Sequence, residues 1–84
     1  MAGPYTLQPG QKQYAIPTWY DKPTGVKVAN RSKQPACIWY QVGIDPIGHK
    51  FCLDPGVNGF ELDGNGLLMS VKNIGAVEVT VETK

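Results

Sequence analysis

The chain has 84 residues, enough for one domain and too few for two. Its 42% hydrophobic and 18% charged residues are an ordinary globular balance, and ten glycines with seven prolines favour short strands joined by tight turns. A net charge of +1 excludes a global field that would draw the chain to nucleic acid or an anionic membrane. No apolar run approaches the roughly 18 residues needed to cross a bilayer.

The opening Met1-Ala-Gly-Pro-Tyr5 has no basic segment followed by an apolar one, so cytoplasmic synthesis without a signal peptide is expected. Release could then follow inside a particle such as a virion. Residues 5–16 read as strand, Pro9-Gly10 turn, strand. The segment Pro17–Pro23 is turn-like and presents Trp19 and Tyr20 to solvent. Residues 26–29 alternate Val26 and Val28 with Lys27 and Ala29. Asn30-Arg31-Ser32 has the pattern of a glycosylation sequon, but its expected role is a turn after that strand.

In residues 36–42 one row is Ala36, Ile38, Tyr40 and Val42, and the other is Cys37, Trp39 and Gln41. This strand and residues 49–53 form an expected hairpin around Gly43–Gly48. If Ile38 and Phe51 both face the core, a compact loop opposes Cys37 to Cys52 on the outer face. The pair could form a cross-strand disulfide in an oxidising setting, but with no signal peptide two reduced thiols are expected. Residues 51–62 again read as strand, Pro55-Gly56 turn, strand. Asp63-Gly-Asn-Gly66 reads as a hairpin turn with positive φ angles. Its oxygen side chains faintly resemble a calcium loop, yet Lys72 stands where that pattern wants a glutamate. Residues 67–73 put Leu67, Met69 and Val71 on one side, and residues 77–82 alternate Val77, Val79 and Val81 with Glu78, Thr80 and Glu82.

These segments contain a weak internal repeat. Residues 5–16 align without gaps on residues 51–62, matching Tyr5 with Phe51, Leu7 with Leu53, Tyr14 with Phe60 and Ile16 with Leu62. Val26, Val28 and Asn30 then align on Met69, Val71 and Asn73, and Ala36 and Ile38 on Val79 and Val81. The expected fold is all-β: one domain over residues 1–84, with about eight short antiparallel strands in pseudo-halves 4–40 and 50–83. Two four-stranded halves, each apolar on one face, bury those faces as a β-sandwich of Greek-key or jelly-roll type, or as a small barrel.

No constellation for chemistry emerges. His49 is the only histidine, and with two cysteines on different strands it has neither catalytic nor zinc-site spacing, so no catalytic residue, metal or cofactor is expected. Residues 1–50 carry six basic and two acidic side chains, and residues 51–84 two basic and five acidic, a split suited to packing against copies of the same chain. Trp19, Tyr20 and Trp39, with Gln41 and Lys50, are the candidate binding residues, because exposed Trp and Tyr are enriched as interface anchors. The expected function is a non-enzymatic structural or assembly protein, a β module that forms symmetric oligomers or decorates a larger particle such as a phage or viral shell. The alternative is a lectin-like carbohydrate-binding module in which a glycan stacks on Trp and Tyr. No membrane partner is expected, and nucleic acid is the weakest candidate.

Overall fold

A computed structural model describes residues 2–44 and 47–84. Its strands are β1 (Ala2–Leu7), β2 (Lys12–Ile16), β3 (Thr24–Asn30), β4 (Ala36–Val42), β5 (His49–Leu53), β6 (Gly56–Leu62), β7 (Met69–Asn73) and β8 (Val79–Thr83). They form two four-stranded sheets, ordered β1-β8-β3-β6 and β2-β7-β4-β5, in which every pairing is antiparallel. This is the strand order of a jelly-roll sandwich, not of a closed barrel. The short axis of 16 Å fits two layers stacked about 10 Å apart.

Period-two alternation builds the core. Val26 and Val28 of β3, Ala36 and Ile38 of β4, Met69 and Val71 of β7, and Val79 and Val81 of β8 all point inward and are buried. Phe60 of the first sheet stacks on Tyr40 of the second at 4.7 Å between ring centres and meets Phe51 at 4.8 Å, closing the β5–β6 side of the sandwich. Alternation also carries polar residues inward. Thr24, Asn30, Asn73 and Thr83 continue the buried rows of β3, β7 and β8.

The repeat reappears in the topology. Exchanging β1–β4 for β5–β8 turns β1-β8-β3-β6 into β5-β4-β7-β2, which is the second sheet read backwards. The aligned asparagines do the same job in each half. Asn30 Nδ2 donates to the Gln34 carbonyl at 2.7 Å and its Oδ1 accepts from the Ser32 amide at 3.0 Å. Asn73 Nδ2 donates to the Val77 carbonyl at 2.7 Å and its Oδ1 accepts from the Gly75 amide at 3.0 Å. Asn30 therefore serves the turn after β3, with its side chain inside the fold rather than offered for glycosylation.

The Pro-Gly turns do not close hairpins. Gly10 and Gly56 take positive φ as turn glycines, but β1 and β2 lie in opposite sheets, as do β5 and β6. Asn65 and Gly66 also take the expected positive φ, and the Leu67 amide donates to the Gly64 carbonyl at 2.9 Å. That turn too passes between sheets, from β6 to β7, and is not a hairpin. Leu67 stays outside the core because β7 starts only at Met69; Leu67 and Leu68 are exposed.

Candidate functional site

The five candidate binding residues fall into two places. Trp39 and Gln41 lie on the outer face of β4, and Lys50 of β5 sits directly opposite Trp39. Trp19 and Tyr20 belong to the β2–β3 loop at one end of the sandwich.

On the outer face of the second sheet, register lines up one residue from each strand. Lys12 of β2 opposes Lys72 of β7, Lys72 opposes Trp39 of β4, and Trp39 opposes Lys50 of β5. At about 4.8 Å per strand the row is about 14 Å wide. The Lys12 ammonium lies 5.0 Å from the Trp39 ring centre and 4.8 Å from that of Tyr14, so both rings hold it by cation–π attraction. Gln41 opposes Ser70 one step along the face, and Cys37 opposes Cys52 one step the other way. β2, β4, β5 and β7 contain no aspartate or glutamate. On the first sheet, by contrast, Lys27 is paired with Glu82 at 3.3 Å.

Cys37 and Cys52 sit opposite each other as the alternation requires, but they are joined in a disulfide, which corrects the expectation of reduced thiols. Cross-strand pairing brings the two side chains together, as the hairpin register requires. Neither thiol is available as a nucleophile in this state. His49 is exposed on β5 and stacks on Tyr40 at 5.3 Å.

Gly48 carries the indole. A Cβ built there would stand 1.8 Å from Trp39 Nε1 and 2.0 Å from Cε2. Gly48→Ala is therefore expected to push the indole off its seat and cost about 1–3 kcal/mol. The check is a urea titration read by tryptophan emission, in which both the midpoint and the native emission maximum should move.

The loop end has a different character. Thr18 Oγ1 donates to the Leu67 carbonyl at 2.6 Å, the Gly66 amide to the Trp19 carbonyl at 3.0 Å and the Gly43 amide to the Leu68 carbonyl at 2.8 Å. These bonds gather the β2–β3, β4–β5 and β6–β7 loops. Lys22 lies over the half-buried Trp19 ring at 4.3 Å. Tyr20, Ile44, Ile47, Leu67 and Leu68 are between 51% and 98% exposed there. Sequence reasoning found Tyr20 but not the aliphatic four. Alternation puts Leu67 on the side of Met69 and Val71, and Ile44 and Ile47 fall within the turn expected over Gly43–Gly48. The turn expected over Gly43–Gly48 lies partly outside the described residues, since Asp45 and Pro46 are not among them.

The chain folds as a compact jelly-roll with one basic–aromatic face and one apolar end. It belongs to the Family of unknown function (DUF8244), whose model matches residues 5–84. It is similar to an uncharacterized protein of Dictyostelium discoideum, with 34% identity over 87 residues covering 99% of each chain. No solved structure matches it.

Proposed function

We propose that this protein is a non-catalytic assembly module that docks through its loop end onto a second copy of itself, within a symmetric oligomer or a larger particle. The observation that carries this reading is the group of five large apolar side chains left in water at that one end: Tyr20, Ile44, Ile47, Leu67 and Leu68. Scattered single apolar residues are ordinary on a surface, but a gathered patch favours a partner.

A second copy suits the patch because its rim carries both signs of charge. Asp21, Lys22 and Asp63 are exposed in the same loops. In a two-fold contact the acidic groups of one copy can meet Lys22 of the other. A domain of this size also has a modest core, and association commonly supplements such cores.

The test is sedimentation equilibrium over a wide concentration range. The parent chain should associate reversibly, and Ile44→Ser and Leu68→Ser should weaken association by about tenfold or more each while leaving the circular dichroism of the fold intact. A parent that stays monomeric at every concentration, or an oligomer indifferent to both substitutions, defeats the reading.

A further inference from the structure

We infer that the outer face of the second sheet, centred on the row Lys12–Lys72–Trp39–Lys50, is a docking surface for an acidic polysaccharide, one bearing sulfate or carboxylate groups. This surface borders the apolar loop end but consists of different residues and does not depend on self-association.

The row is an arrangement that is unfavourable on its own. Lys12 and Lys72 are directly opposed across strands, and like charges so placed destabilise a sheet. Lys50 adds a third cation to the same row, and none of the four strands carries an acidic residue to offset it. The same fold places Glu82 against Lys27 on its other sheet. The asymmetry therefore lies in the residues chosen, not in the architecture. A partner with regularly spaced negative charges would relieve the repulsion.

The chemistry of the face favours a glycan over a nucleic-acid strand. Single-strand binders leave aromatic rings bare so that bases can stack on them. Here Trp39 is half-buried, has Gly48 packed against its indole and shares the Lys12 ammonium with Tyr14. The rings hold a cation in place instead of offering an open stack. Ser70, opposite Gln41 and next to the row, adds a hydroxyl that can donate to or accept from a sugar.

The experiment measures binding to a heparin oligosaccharide, a polyuronate fragment, neutral dextran and a single-stranded oligonucleotide of matched charge, each at two salt concentrations. An acidic glycan should bind, dextran should not, and affinity should fall as salt rises. In the triple variant Lys12→Gln/Lys50→Gln/Lys72→Gln, Kd should rise about tenfold or more, since three ion contacts are lost. Lys33→Gln, in the β3–β4 loop, should leave Kd unchanged, and so should Leu68→Ser at the loop end. Comparing heparin with polyuronate tells sulfate from carboxylate as the preferred group. The inference is overturned if neither acidic glycan binds at low salt, if the triple variant binds like the parent, or if the oligonucleotide binds more tightly than both glycans.

Discussion

Asn73→Asp should lose most of the protein's stability at pH 7 and regain part of it on acidification. Asn73 is 0% exposed. Its Nδ2 donates to two carbonyls, Leu7 at 3.0 Å and Val77 at 2.7 Å. The Leu7 bond matters most, because Leu7 lies on β1 of one sheet and Asn73 on β7 of the other, so this one amide ties the layers together. A carboxylate in its place would direct negative charge at two carbonyl oxygens with no water to screen it. Burying an unpaired charge costs several kcal/mol, a large part of the roughly 5–10 kcal/mol that holds a small domain folded. Burial and the facing carbonyls raise the folded-state pKa of the new carboxyl above its unfolded value of about 3.9. The folded state then binds more protons than the unfolded one, so stability is greatest below that value and falls as pH rises toward the raised pKa.

The measurement is urea unfolding from acidic to neutral pH, with the parent's own pH dependence subtracted. Asn73→Ala takes this partner from the Leu7 and Val77 carbonyls and from the Gly75 amide; it should cost at least about 1–3 kcal/mol and add no pH dependence. Asn30→Asp should be milder, because Asn30 makes no bond to the other sheet and its Oδ1 already faces two donors, the Ser32 amide and hydroxyl. If the two aspartate variants are equally stable, the role given to the bond across the sheets is wrong.

The contrast between these two asparagines shows how far the sequence can be read. Aligning Asn30 with Asn73 marks them as equivalent strand ends, and they share the same turn geometry. What the alignment cannot convey is that only one of them reaches the opposite sheet, since that depends on how the layers are placed. The inward rows of β3, β4, β7 and β8 were legible because an apolar residue recurs at every second position through the middle of each strand. Thr24, Asn30, Asn73 and Thr83 keep the same parity, and extending the period beyond the valines, backwards for Thr24 and forwards for the other three, would have placed them inside. β2 was harder. Tyr14 matches Phe60 in the repeat, yet Tyr14 is exposed and Phe60 half-buried. The register of β2 shifts between Gln13 and Ile16, and Ala15 takes a φ of 57°, so the row changes sides there. Of the candidate site, Trp39 opposite Lys50 follows from the hairpin register. Lys12 and Lys72 completing the row does not, because β2 reaches β4 only through β7, a pairing between distant segments. The apolar loop end was hidden for a related reason: Leu67 has core parity but lies beyond the last paired residue of its strand.

Reducing the Cys37–Cys52 bond should loosen one edge of the second sheet more than the rest of the molecule. The two cysteines are 15 residues apart, and closing a loop of that length contributes about 3 kcal/mol, mainly by restricting the unfolded chain. The location makes the loss uneven. β5 is an edge strand, paired through its backbone only to β4, and the disulfide adds a side-chain cross-link to that neighbour beyond the loop that joins them. Its inward residues Phe51 and Leu53 hold it by packing, while Lys50 and Cys52 face outward on the row proposed to bind glycan. The double variant Cys37→Ser/Cys52→Ser should therefore unfold at lower urea and show its greatest gain in amide hydrogen exchange in His49–Leu53. Protection in β3 and β8, central strands of the other sheet, should fall only with global stability. Heparin binding should weaken in the double variant as Lys50 loses its fixed place, and less than in the triple lysine variant, because Lys12 and Lys72 stay on β2 and β7. Equal urea midpoints for the oxidised parent and the double variant would mean that the packing of Phe51 and Leu53 alone holds β5, and the disulfide would then have no part in keeping the row in register.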